Sequence, residues 1–167
     1  MKILVLGHGG HGKDETAKVL ESWMGLSWIS SSQAAAEMVY PVLAELYGYE
    51  SVQECWEQRK NCRSEWRQLI SDYNTPDKGR LCREILAHHD CYVGMRCHLE
   101  YAATKELFGL ILWVDAANRM PQDPSMTIPF NAQTMVRIDN NGPQSALHKT
   151  VETAVALALI KMARQAA

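Results

Sequence analysis

No apolar run in this 167-residue sequence reaches the roughly 18–20 residues that a membrane-crossing helix needs; residues 110–114 and 153–160 both fall far short. A secretion signal is missing too. Met1-Lys2-Ile3-Leu4-Val5-Leu6 turns at once into glycines, too short an apolar region for export, so a cytoplasmic protein without membrane partners is expected. An excess of positive charge is also lacking: 17 Lys and Arg against 19 Asp and Glu give a net charge of −2, so no overall cationic field draws nucleic acid or anionic lipid, and only a local basic patch could. Cys55, Cys62, Cys82, Cys91 and Cys97 form an odd set without a C-x-x-C pair, which excludes a disulfide framework and a zinc knuckle and leaves free thiols. The six histidines show no metal-ligand spacing either. Internal repeats and low-complexity segments are absent.

What is present is ordinary globular material. With 47% hydrophobic and 22% charged residues, the chain can bury a core, and its length suits one domain spanning 1–167. Strand and helix signals alternate along it. Short continuous apolar runs at 3–6, 26–29, 91–95, 110–114 and 135–138 read as strands buried on both faces. Helical patterns occupy 13–24, 33–46 with Pro41 expected to bend or split it, 51–73 as one long amphipathic helix, 77–86, 99–107, and from Pro143 to about 164. Residues 116–129, with Pro121, Pro124 and Pro129, can only be a loop. Five such strands joined by helical crossovers imply an α/β fold: a five-stranded parallel sheet between two helical layers, the three-layer α/β/α P-loop arrangement.

The strongest functional signal follows the first strand. Gly7-His8-Gly9-Gly10-His11-Gly12-Lys13 matches G-x-x-x-x-G-K between a buried strand and a helix, the setting in which glycines let successive N–H groups face phosphate oxygens and the helix N-terminus adds partial positive charge. Lys13 would hold the β and γ phosphates of ATP, and His8 and His11 stand within the loop, where they can reach phosphate. The usual Ser or Thr after the lysine is missing: Asp14 and Glu15 follow, and Thr16 comes one place late. Asp14 is a hard oxygen ligand suited to Mg²⁺, while Glu15 reads equally as a helix-terminal charge.

Other candidates lie further along. Arg96 ends the third strand, at the crevice where sheets of this kind bind ligands, and reads as a phosphate or acceptor contact and a catalytic cation. Arg59, Arg63 and Arg67 recur every fourth residue, so on one helix they form a stripe that could track a phosphate backbone, clamp one acceptor phosphate, or simply be solvated beside Glu57 and Glu65. Asp72, Tyr73 and Asn74 close that segment with groups able to touch a base or take a hydroxyl proton.

Gly12-Lys13-Asp14 after the first strand, Ser30-Ser31-Ser32 after the second and Ile138-Asp139-Asn140-Asn141-Gly142 after the last resemble bacteriophage P-loop kinases of the deoxynucleoside monophosphate kinase type, over nearly the whole chain. Some relatives in that family phosphorylate the hydroxymethyl group of 5-hydroxymethyluracil in DNA. The family pattern has Thr where this chain has Glu15. The resemblance implies ATP with Mg²⁺, with Asn140, Asn141 and Gly142 against the adenine, Ser30, Ser31 and Ser32 toward the acceptor, and, if phage-encoded, work in the host cytoplasm. Residues 116–129 are short for a lid and carry only Arg119 as a cation toward the acceptor, which suits an open site and a polymer. The favoured acceptor on this reading is hydroxymethyluracil-containing DNA; the alternatives are a free deoxynucleoside monophosphate and a non-catalytic nucleotide sensor, the last suggested by Glu15.

Overall fold

The structure is a computed structural model and describes residues 1–166. Five strands, β1 (Ile3–Leu6), β2 (Trp28–Ser30), β3 (Cys91–Val93), β4 (Leu110–Asp115) and β5 (Val136–Asp139), form one sheet in the order β2-β3-β1-β4-β5. Every pairing is parallel, with Ile3 opposite both Cys91 and Leu110, and Leu112 opposite Val136. Successive side chains of a strand point to opposite faces, and both faces are covered. Ile3, Val5, Val93, Leu112 and Ile138 pack against α1 (Lys13–Met24) and α8 (Gln144–Ala166). Leu4, Leu6, Tyr92, Ile111 and Trp113 face the opposite layer. That layer is built from α2 (Ser31–Ala34), α3 (Ala36–Tyr47), α4 (Val52–Glu57), α5 (Arg63–Tyr73) and α6 (Arg80–His88). The three-layer α/β/α expectation holds. A short α7 (His98–Thr104) and a 3₁₀ turn (Lys105–Leu107) join β3 to β4.

Two expected helices differ from those observed. The segment 33–46 is split, but at Ala35 rather than at Pro41, which sits inside α3; the carbonyl it leaves unpaired belongs to the exposed Glu37, so water can satisfy it. The segment 51–73 is two helices, α4 and α5. Residues 58–62 leave the helix through reverse turns, with Asn61 N–H donating to the Gln58 carbonyl at 2.8 Å. The exposed Gln58, Lys60 and Asn61 give this stretch nothing to bury, while Cys62 is fully buried beside Tyr49 and re-anchors the chain. Arg59 therefore lies outside the helix that carries Arg63 and Arg67.

Candidate phosphate loop and acceptor cavity

β1 is central, flanked by β3 on one side and β4 on the other, so the loop after it opens at the point where the strand order reverses. Gly7 has φ +141°, and a Cβ there would strike the Val114 carbonyl, so the loop leaves β1 hard against β4. Gly12 has φ +92°, and a Cβ there would collide with the Asn140 amide. The loop then enters α1 at Lys13, whose Nζ folds back to donate to the His8 carbonyl at 2.7 Å. Burial and the nearby Arg96 guanidinium lower the Lys13 pKa to about 8, against the pull of Asp14 and Asp123.

The loop is braced from behind by groups far along the chain. His11 is fully buried; its Nδ1 accepts from Ala116 N–H at 3.0 Å, and its carbonyl accepts from Asn140 Nδ2 at 2.9 Å. Asn141 Nδ2 donates to the Asp115 carbonyl, and its Oδ1 accepts from Asn118 N–H. The side chains of His11 and Asn140 thus join the loop to the ends of β4 and β5, with His11 Nε2 left buried and unpartnered, while the Asn141 side chain ties the end of β5 to the end of β4. Gly142 is exposed beside them. Arg119, read from sequence as an acceptor contact, instead donates through Nε to the Asn140 carbonyl at 2.8 Å, on the β4–β5 side of the loop.

Residues 116–129 have no regular structure, as expected, but they lie down on the glycines. A Cβ on Gly9 would come 2.8 Å from an Asp123 carboxylate oxygen, and one on Gly10 2.7 Å from Met120 Cε. His8 faces this segment, its Nδ1 accepting from Asp123 N–H at 3.0 Å while its ring meets Trp113 edge-on. Arg96 is held by the same loop, ion-paired to Asp123 and donating to Ser125 Oγ at 2.6 Å. Burial works against the Asp123 charge, yet the Ser125 hydrogen bonds and the Arg96 guanidinium hold its carboxyl well below the usual range.

On the other side of Lys13 a cavity of about 620 Å³ runs between the sheet and α5. Gly9, Gly10, Lys13 and Asp14 form one wall, Ser30, Ser31 and Ser32 another, and Arg96 with Ser125 a third. Arg59, Arg63 and Arg67 all line it despite the break between α4 and α5. Arg59 stacks over Trp56 and feels the Asp14 carboxylate; Arg63 is close enough to act on the charge of Lys13. Trp66, which the helical pattern reads as core, is buried and also forms part of the lining.

The end of α5 is used differently. Asn74 is buried, lines the cavity and accepts from Leu81 N–H at 3.1 Å. Asp72 accepts from Gln68 on the exposed side, and the Tyr73 hydroxyl donates to Glu84 at 2.7 Å with Arg80 stacked on its ring; neither lines the cavity. Glu15 pairs with Lys18 at 2.7 Å along α1, and Thr16 is buried with its hydroxyl donating to the Gly12 carbonyl at 3.0 Å. Glu15 is a surface ion pair of the helix.

Sequence reasoning missed several lining residues. Lys60 and Lys78 add two cations, and Tyr92 and Glu100 add a buried polar pair. The lysines adjoin segments already singled out for their basic residues. Glu100 could have been noticed as a carboxylate four residues before Thr104 on the buried face of α7.

No family model matches the chain, and no curated protein matches its sequence. Among solved structures it is similar to the crystal structure of a gluconokinase from Sinorhizobium meliloti 1021, with a TM-score of 0.54 over 99% of this chain and 97% of that one, at 12% sequence identity. Identity that low speaks to architecture alone, and the architecture agrees with the sheet order and the glycine loop: the chain has the three-layer α/β/α P-loop fold.

Proposed function

We propose that this protein is an ATP-dependent phosphotransferase whose acceptor is a small phosphorylated nucleotide, a deoxynucleoside monophosphate. The observation that carries the reading is the convergence of Arg59, Arg63 and Arg67 on a cavity that also holds Lys13 and Asp14. A cavity of about 620 Å³ has the size of a small-ligand site. A polymer backbone would be served by cations strung along an open face, and the break between α4 and α5 removes the single helical stripe that was one of the supports for the DNA reading, beside the short loop 116–129. The non-catalytic reading loses its motive as well, since Glu15 is paired with Lys18.

The roles follow from charge and position. Backbone N–H groups of the glycine loop and the N-terminus of α1 receive the ATP phosphates, and Lys13 spans the transferred end. Its lowered pKa means that the loop holds a cation at some cost, which bound phosphates offset by restoring favourable charge contacts. Arg59, Arg63 and Arg67 hold the acceptor phosphate, and Arg96, beside Lys13, neutralises charge on the group in transit. Asp14 lines the cavity with no protein hydrogen bond among the described residues, which suits a hard cation that keeps most of its waters. Bound there, Mg²⁺ would draw phosphate charge. Asp14→Asn should raise the Mg²⁺ concentration for half-maximal rate by about tenfold while leaving the fold unchanged; a coincident Mg²⁺ titration would reduce Asp14 to a helix-terminal charge.

The test uses Arg59, Arg63 and Arg67 replaced together by Ala. Offered radiolabelled ATP and each deoxynucleoside monophosphate, the native protein should form diphosphates, and the triple variant should show a KM for the monophosphate raised by about 100-fold with ATP affinity retained. Labelled phosphate appearing in hydroxymethyluracil-containing DNA, with binding that falls steeply with salt and a slope flattened in the triple variant, would instead establish the polymer as acceptor.

A further inference from the structure

Glu100 is 7% exposed, and no Lys or Arg pairs with it among the described residues. A carboxyl this deep is costly unless it is satisfied. Only one of its oxygens is: Oε1 accepts from the Tyr92 hydroxyl at 2.7 Å, and the Ser31 side chain lies beside that hydroxyl. Oε2 has no protein partner among the described residues, yet Glu100 belongs to the wall of the acceptor cavity. Both tyrosine and carboxyl are buried in the lining that also holds the cations, Tyr92 from the middle of β3 and Glu100 from the buried face of α7. The cavity therefore combines exposed cationic side chains with one buried, open hydrogen-bond acceptor whose donor neighbour is already committed.

We propose, on the reading that the acceptor is a nucleoside monophosphate, that Glu100 is a specificity-determining residue: with Tyr92 fixing one oxygen, the other accepts a hydrogen bond from an exocyclic amino group of the acceptor base. Cytosine, adenine and guanine carry such a group. Thymine, uracil and 5-hydroxymethyluracil turn a carbonyl to the same place, where an ionised carboxylate repels it and leaves its own oxygen unpaired. A site built for a hydrogen bond rejects the analogue that lacks it more strongly than an apolar pocket rejects a size change.

dCMP and dUMP test this cleanly, because they share sugar and phosphate and differ at the base edge. At pH 8, where the carboxyl is ionised, the native protein should use dCMP with a kcat/KM about 100-fold above that for dUMP. In Glu100→Gln that ratio should fall below about tenfold, through KM for dCMP and not through ATP affinity. Tyr92→Phe, which keeps the carboxyl and loses its support, should raise KM for dCMP about tenfold; it decides the matter if the glutamine variant does not fold. Equal use of dCMP and dUMP by the native protein, or a ratio untouched by both variants, overturns the role of Glu100 while the kinase reading stands. Absence of any diphosphate from the native protein overturns the monophosphate reading, and this inference with it.

Discussion

Lys13→Ala should lower kcat/KM for phosphoryl transfer by about 1,000-fold or more, equivalent to about 4 kcal/mol of transition-state stabilisation. Lys13 has a single hydrogen bond, from Nζ to the His8 carbonyl, so little folding energy depends on it. Burial is the main cost of its charge, with Arg96 and Arg63 acting against the ammonium and Asp14 and Asp123 in its favour, so removing it ends a desolvation cost and should leave the melting temperature unchanged or slightly raised. ATP binding measured by calorimetry should weaken, with thermal unfolding still cooperative. Activity above a few per cent of the native value in this variant would show that the lysine does not hold the transferred phosphates.

Folding stability should fall by about 3 kcal/mol between pH 4.5 and pH 7.5, and Glu100→Gln should abolish most of that fall. Burial pushes the Glu100 carboxyl up to about 7, against the opposing hydrogen bond from Tyr92. Across that window the folded chain holds a proton that the unfolded chain has released, so each step up in pH favours the unfolded state until Glu100 ionises in the folded protein too. The titratable groups that face it are Tyr92 and Cys82, both raised mainly by burial, so they stay neutral across this window. Carboxylates held low, such as Asp123, work in the opposite sense but at more acidic pH. Lys13 acts above the window, adding stability as pH climbs from about 8 toward 10.5. Urea unfolding at several pH values measures the slope directly; a native protein with flat stability from pH 4.5 to 7.5 would mean that Glu100 is solvated.

The middle of the sheet was legible because β1, β3 and β4 are buried on both faces, so apolar runs such as Ile3–Leu6 and Leu110–Asp115 carry their own signature, whereas the edge strands β2 and β5 are only partly buried and carry it more weakly. The glycine loop was legible because its geometry requires glycines at fixed spacing, and Gly7 and Gly12 do adopt positive φ. The partners of that loop were hidden: His11 meets Ala116 across 105 residues and Asn140 across 129, and no local pattern carries such a distance. The break at 58–62 was hidden for a different cause. Cys55, Cys62 and Trp66 keep helical spacing across it, and spacing cannot register a turn that restores the same face afterwards. The arginines were named as a group on one helix, whereas they reach one cavity across the turns at 58–62.

The brace behind the glycine loop has an entropic consequence. Holding one residue in a single backbone conformation costs about 1–2 kcal/mol, and a glycine-rich segment has the most freedom to lose. Here His11, Asn140 and the Ala116 amide meet that cost during folding, before any phosphate arrives. A ligand then encounters a cradle already ordered, and its affinity reflects contact alone. On the phosphotransferase reading, affinity for phosphate is then tied to the residues that brace the loop: loosening the joint at Asn140 should return conformational freedom to the glycines and weaken phosphate binding in proportion to the disorder released.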